Sequence, residues 1–199
     1  MHSDFAFTAA PALRLLFWFS FASWIAIELA IWSRDRTKVK GRRDDRFSML
    51  AISASITFAN AIAFNASRLW PGALIGAPPV LLAGAGIVLI WVGIVLRLWA
   101  VQTLGRYFRV TVTVQDDHRL VDTGPYARLR NPSYTGAMIS MLGIGLAMGH
   151  WLSLAAMALI PLLGFGWRIR VEEASLAVRF GAEYEAYRSR RWALVPPLW

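Results

Sequence analysis

Residues 80–101 read VLLAGAGIVLIWVGIVLRLWAV, an apolar run interrupted by one charge, Arg97. A helix needs about 20 apolar residues to cross about 30 Å of hydrocarbon, and this run is long enough. Toward the N-terminus, Phe47 to Ala66 and Leu13 to Trp32 are two more runs of the same kind. Toward the C-terminus, after a polar interval, Ser133 to Gly149 and Trp151 to Trp167 are two slightly shorter runs parted only around His150, a pattern that predicts a tight helical hairpin. The expectation is an all-α integral membrane protein with about five transmembrane helices. A signal peptide is the alternative for the first run. That run is long for a signal core, has little basic flank beyond Arg14, and ends in charge rather than in a small-residue cleavage site, so it is read as a helix.

Composition points the same way. Hydrophobic residues make up 57% of the 199-residue chain and charged residues 17%, too apolar for an ordinary soluble domain of this size. The formal charge of +9 would suit nucleic acid only on a water-soluble basic face, and here the basic residues sit between apolar runs, so nucleic acid is not an expected partner. The absence of cysteine excludes disulfides, a thiolate nucleophile and a thiolate metal site, and no metal is expected. With no internal repeat and no low-complexity linker, the sequence reads as one membrane domain over 1–199. Three helices occupy 1–101, and the core with the hairpin and tail occupies 102–199.

Charge alternates between the connections. Arg34, Arg36, Lys38, Lys40, Arg42, Arg43 and Arg46 crowd the first, whereas the second holds only Arg68. Arg106, Arg109, Arg119, Arg128 and Arg130 lie in the third, none in the fourth, and Arg168, Arg170, Arg179, Arg188, Arg190 and Arg191 in the tail. By the positive-inside rule the N-terminus is outside and the C-terminus cytoplasmic. Trp32, Trp70, Trp99, Trp151 and Trp167 fall near the run ends, where indole prefers the headgroup boundary. Arg97 reads as a residue snorkelling to the cytoplasmic interface, with a lipid-headgroup or substrate contact as the alternative. His2, in a terminal segment, and His150, in an outer turn, are not expected to act in catalysis.

Two segments are polar enough to hold a site. In Gln102 to Pro132, the β-branched Val110 to Val114 and the turn-like Gln115-Asp116-Asp117 suggest a short hairpin returning through Leu120 and Val121. The segment closes with Gly124-Pro125-Tyr126 and Arg130-Asn131-Pro132-Ser133-Tyr134-Thr135-Gly136. Asn131 can cap a helix that Pro132 begins, either as a structural cap alone or with amides left over for an anionic group. The second segment, Arg168 to Trp199, continues the fifth helix into a partly buried lobe until Pro196 and Pro197 end it. Arg168 and Glu172 are four apart, so they share a helix face, as a local ion pair or as part of a wet intramembrane site.

Taken together, these clusters resemble the isoprenylcysteine carboxyl methyltransferase family and its relatives among the membrane phospholipid methyltransferases. The resemblance covers roughly His118 to Pro196. Its carriers are His118-Arg119-Leu120-Val121, Gly124-Pro125-Tyr126, Arg130 to Gly136, Arg168 to Glu173 and Phe180 to Tyr187, in the family's order and spacing. The resemblance implies an S-adenosylmethionine-dependent methyltransferase with a cytoplasmic C-terminal cofactor-binding lobe. Cofactor binding falls on His118, Arg119, Leu120, Val121, Gly124, Tyr126, Asn131, Pro132, Ser133, Tyr134, Glu172 and Glu173. Arg168 would hold the substrate carboxylate and act with Glu172 in catalysis. The implied acceptor is a lipophilic or prenylated molecule drawn from the bilayer lipids.

One position departs from the family: a frequent histidine is Asn131 here, which cannot titrate but can still hydrogen-bond through its amide. A carboxylate acceptor, with a pKa of about 3.5, is already ionised at neutral pH and needs no base. An amine, thiol or phospholipid headgroup remains the alternative acceptor, with His118 as the local titrating group. A lipid-binding protein without catalysis is a third reading.

Overall fold

The computed structural model describes residues 5–34, 43–108 and 120–196. Six helices account for most of them: α1 (Pro11–Arg34), α2 (Arg43–Leu69), α3 (Pro79–Leu104), α4 (Pro132–Ala147), α5 (Trp151–Phe180) and α6 (Ala182–Arg188). Pairing of extended backbone among the described residues is confined to two isolated bridges, Leu74 with His150 and Leu129 with Trp192. The expected all-α class therefore holds. The hairpin proposed for Val110 to Val114 lies outside the described residues, as do His118 and Arg119.

The expected count of five spans is corrected to four among the described residues. α1, α2, α3 and α5 are long and apolar enough to cross a membrane. α4 has 16 residues, a rise of about 24 Å, which is less than the hydrocarbon core. Its surroundings explain how so short a helix sits at membrane depth: Pro132, Gly136, Met141, Ile144 and Ala147 are all buried against neighbouring helices. α5 errs in the other direction, running 30 residues to Phe180 where Gly181, at φ +52°, breaks it. The helical continuation beyond Trp167 is as the sequence suggested, but regular helix ends at Arg188 with α6, before the two prolines.

Small residues set the packing of α3 on α4. A side chain added at Gly136 would meet Gly93 O and Arg97 N at 2.7 Å, and one at Gly143 would meet Gly86 O at 2.5 Å and Ile90 N at 2.7 Å. Apolar attraction cannot drive helices together inside lipid, so close backbone approach and interhelical hydrogen bonds must do so. Ser140 Oγ accordingly donates to Ile90 O at 3.0 Å. α2 packs on α5, where Gly164 faces Ser55 and Ile52 and Ser153 Oγ donates to Ala63 O at 2.8 Å. The polar residues of α2 mostly satisfy themselves: Ser55, Thr57, Asn60 and Asn65 each donate to a carbonyl one turn back. α1 leans on α3 through Trp91 Nε1, which donates to Ser20 Oγ at 3.0 Å. Phe64 of α2 touches Trp18 and Phe21 of α1 at 5.8 and 5.5 Å between ring centroids.

The α4–α5 end of the bundle is stitched shut. Gly149 turns at φ +68°, its carbonyl accepts from Ile75 N, and Ala6 N donates to Met148 O. His150 is fully buried there. Its Nδ1 accepts from Leu152 N, so the proton belongs on Nε2, which donates to Trp70 O at 3.1 Å. The role is structural. Leu15, Phe19, Val95 and Leu163 point outward, as lipid-facing residues do.

Candidate active site

At the opposite end, a cavity of about 550 Å³ opens where α1, α2, α3, α4, α5 and α6 come together. That volume is in the range of small-molecule sites. One wall is apolar, from Trp24, Leu29 and Trp32 of α1 and Met49, Ile52 and Ile56 of α2. The other is polar and carries Tyr126, Arg130, Asn131, Ser133, Tyr134 and Glu172.

The polar wall is assembled by the turn and the helix start that the sequence singled out. Gly124 adopts φ +56° to open a 3-10 turn, Gly124–Ala127, against Trp99 and Thr103 of α3. This turn buries Tyr126, whose hydroxyl is driven above its ordinary pKa by desolvation and then by the Glu172 carboxylate. Pro132 begins α4 as expected, but Asn131 caps it without a side-chain hydrogen bond. Its Nδ2 instead donates to Glu173 Oε1 and to Ala193 O, both at 3.2 Å. The Ala193 carbonyl can only accept, so the amide nitrogen is the atom that must face it. The Asn131 amide is therefore committed to the protein on its donor side.

Arg168 and Glu172 form the expected helical ion pair, Nε to Oε1 at 2.8 Å. A third partner joins them: Tyr134 OH donates to the same Oε1 at 2.7 Å and accepts from Arg168 Nε at 3.3 Å. Arg168 Nη1 also donates to Ser48 Oγ at 3.0 Å. At 1% exposure Arg168 stands outside the cavity lining. Its guanidinium holds Glu172 and Tyr134 in place, while Glu172 keeps 24% of its side chain exposed. The hydrogen bonds that described residues make to Glu172 all fall on Oε1.

Glu173, next in sequence, turns to the lobe and pairs with Arg130 at 3.2 Å. Residues 192–194 run alongside 128–131 as a strap: Arg130 N donates to Trp192 O, Asn131 N to Ala193 O and Thr135 Oγ1 to Leu194 O. Tyr187 OH donates to Tyr126 O at 3.1 Å, and Arg191 lies 4.4 Å over the Tyr187 ring. Burial pushes the Tyr187 hydroxyl up to about 12.

Among the residues expected to bind a cofactor, Leu120, Val121, Tyr126, Asn131, Ser133, Tyr134 and Glu172 line the cavity. Gly124, Pro132 and Glu173 shape it from behind. Three charged lining residues lie outside the set expected from the sequence: Glu28 of α1, Arg97 of α3 and Arg130, which precedes α4. Arg97 does not snorkel outward: Nε lies 2.6 Å from Glu28 Oε1, Nη2 donates to Oε2 at 2.7 Å, and Nη1 donates to Ser133 Oγ at 2.7 Å. The signal in the sequence was Glu28, an acidic residue inside an apolar run, which requires a partner.

The donor set fits S-adenosylmethionine. The Arg130 Nε proton is buried without a hydrogen-bond partner among the described residues, as expected of a donor meant for a ligand carboxylate. Glu172 offers an acceptor for hydroxyl or amino groups, and Tyr126 and Tyr134 offer ring faces for a cation or a base.

Comparison with known proteins agrees with this geometry. The sequence model of the phospholipid methyltransferase family matches residues 82–183. A probable protein-S-isoprenylcysteine O-methyltransferase of Oryza sativa subsp. indica is 36% identical over 107 residues, 53% of this chain and 56% of that protein. The Schizosaccharomyces pombe protein-S-isoprenylcysteine O-methyltransferase is 37% identical over 101 residues, covering 44% of this chain and 43% of its own length. The chain thus spans about half the length of the curated relatives it matches. A solved eukaryotic isoprenylcysteine carboxyl methyltransferase shares the fold, with a TM-score of 0.65 and 22% identity over 96% of this chain and 69% of that one. A cavity built on the Arg130 to Gly136 and Arg168 to Glu173 motifs, inside a segment that the family model covers, places this chain in the phospholipid methyltransferase family.

Proposed function

We propose that the chain is an integral membrane methyltransferase that uses S-adenosylmethionine to methylate a lipid-linked carboxylate of the isoprenylcysteine type. The observation that carries this reading is one cavity with an apolar wall from α1 and α2 facing a polar wall built on Tyr134 and Glu172. Bound S-adenosylmethionine supplies an electrophilic methyl group on a sulfonium. Glu172, steadied by Arg168 and Tyr134, accepts hydrogen bonds from the ribose or amino groups of the cofactor. Tyr126 and Tyr134 face its cationic and aromatic parts. Arg130 meets its carboxylate. His118 and Arg119 keep the cofactor role that the resemblance implies.

On the acceptor side, the carboxylate is the nucleophile and is ionised at neutral pH, so no side chain has to remove a proton. What the protein supplies is position: holding an oxygen in line with the methyl removes much of the entropic cost of a bimolecular encounter. Arg168 is enclosed, so this orienting task passes to Arg97, the guanidinium that lines the cavity beside Ser133. The cavity lies at the end of the bundle where α1 ends and α2 begins, and the sequence between those two helices is strongly basic, which supports an active site on the cytoplasmic side with the N-terminus outside.

The test is incubation of the purified protein with methyl-labelled S-adenosylmethionine and a prenylcysteine analogue. A base-labile methyl ester is expected. Cofactor binding without ester would remove the carboxylate assignment and leave the methyltransferase class standing.

One feature favours a second acceptor. Glu28 beside Arg97 matches a zwitterionic headgroup, with ammonium on Glu28 and phosphate on Arg97. Methylated amine in place of ester, with a pH–rate profile set by a group near neutrality, would identify that case.

A further inference from the structure

The charges of Glu28 and Arg97 sit inside helices that cross the membrane, where an ionisable side chain is costly unless it is paired or lines a wet cavity. These two do both. Arg97 divides its donors between two partners. Nη1 is held by the Ser133 hydroxyl at 2.7 Å and carbonyl at 3.2 Å, and this anchors the guanidinium at the start of α4 next to Tyr134. Nε and Nη2 form the other edge, a fork able to receive a carboxylate with both oxygens. Glu28 occupies it with one hydrogen bond, from Nη2 to Oε2 at 2.7 Å, while Nε lies 2.6 Å from Oε1 as an ion pair without hydrogen-bond alignment. The two partners are unequally secured. Glu28 is 28% exposed against 13% for Arg97, and no described contact other than Arg97 holds its carboxylate. One turn before it, Trp24 also lines the cavity, and its buried indole N–H has no hydrogen-bond partner among the described residues.

We infer that Glu28 is a displaceable counter-ion, an internal carboxylate that occupies the acceptor's place on Arg97 until an anionic acceptor takes it. The inference rests on the carboxylate-acceptor reading above and assigns Glu28 as its specificity-determining residue. While the cavity is empty, Glu28 neutralises a guanidinium that would otherwise be stranded in a poorly hydrated wall, where an unpaired charge is strongly destabilising. When an acceptor enters with its tail along Trp24, Leu29 and Ile52, its carboxylate exchanges for that of Glu28 on the same fork. Ser133 keeps Arg97 in place throughout. Only a headgroup with its own negative charge can complete the exchange. A neutral molecule with the same tail leaves the ion pair closed and its own polar end unmatched. Selection against neutral amphiphiles thus comes from an internal competitor as well as from the shape of the pocket.

The test is direct binding of N-acetyl-S-farnesylcysteine and of its carboxamide to the purified full chain in lipid nanodiscs, without S-adenosylmethionine and therefore independent of methyl transfer. The wild-type chain is expected to bind the carboxylate far more tightly than the carboxamide. Glu28→Gln, which removes the competitor, is expected to tighten the carboxylate severalfold and to leave the carboxamide unchanged. Glu28→Asp keeps the charge but not the reach to both nitrogens. It serves as the second variant should the first fail to fold, with a smaller tightening expected. Weaker or unchanged carboxylate binding in the folded variant, or equal binding of acid and amide by the wild type, would overturn the inference. Intact carboxylate selectivity and tightening in a protein that does not bind S-adenosylmethionine would support the counter-ion and remove the methyltransferase reading.

Discussion

The Tyr134 hydroxyl donates to Glu172 Oε1 at 2.7 Å, across 38 residues of sequence, and Arg168 Nε reaches the same oxygen from one turn away. One carboxylate oxygen thereby ties α4 to α5. Glu172→Ala removes the acceptor that Tyr134 OH and Arg168 Nε share and is expected to cost about 2 kcal/mol of stability. Thermal unfolding should show that loss, and calorimetry should show S-adenosylmethionine binding abolished. Tyr134→Phe removes two hydrogen bonds, the one donated to Glu172 and the longer one accepted from Arg168, and should cost about 1 kcal/mol while weakening cofactor binding less.

Arg168 is expected to behave as a positioning residue. Arg168→Lys retains the charge but cannot span Glu172, Tyr134 and Ser48 together. Cofactor affinity should fall with that of Glu172 variants, while the KM for a prenylcysteine acceptor, measured at saturating cofactor, stays near that of the wild type. A rise confined to the acceptor KM would show Arg168 touching the acceptor itself.

At Asn131, a neutral histidine has one ring N–H for the two acceptors that the amide now serves. Asn131→His is expected to release either Glu173 or the Ala193 carbonyl and to cost about 1 kcal/mol. Faster proteolysis of the C-terminal strap would be the sign that Ala193 had been released.

Gly136→Leu puts a side chain where Gly93 O and Arg97 N leave 2.7 Å, both of them backbone. Neither can yield, so α3 and α4 must separate, at an expected cost of about 3 kcal/mol. Gly84→Leu, with nothing within 4 Å of its added Cβ, is the matched control and should leave the melting temperature close to wild type.

Alkali should destabilise the lobe in a defined window. The hydroxyl of Tyr187 is raised to about 12 by burial, and burial also raises Tyr126 and Tyr184. In the unfolded chain these groups ionise near 10, so above that pH the unfolded state holds fewer protons and stability falls as pH rises. The contribution from Tyr187 is full below about pH 10 and lost by about pH 12. Melting temperatures across this range should show the fall, with a shallower slope in Tyr187→Phe.

Much of this was legible in the chain itself. Apolar run length is a local property, and it located all the long helices and the turn at Gly149. The order of the motifs from Gly124 to Glu173 named the polar wall. The run over Ser133 to Gly149 was misjudged as a span because apolarity reports burial without saying whether lipid or protein does the burying. α4 is enclosed by neighbouring helices, so its composition resembles that of a longer transmembrane helix. The fifth apolar run ends at Trp167 because Arg168, Arg170, Glu172 and Glu173 interrupt the hydropathy, but they do not interrupt the helix, which continues to Phe180 as the sequence also suggested.

The sequence alone determined a helical membrane protein with its reactive motifs gathered at one end, since backbone groups in hydrocarbon must be satisfied within each segment. Only the tertiary structure decided which charges meet. Glu28 and Arg97 are 69 residues apart, and Ser48 and Arg168 are 120 apart. Their pairing depends on the rotation and depth of each helix, set by glycine contacts such as Gly136 on Gly93 that no single segment encodes. The same packing put Arg168 behind the cavity wall and Arg97 in it.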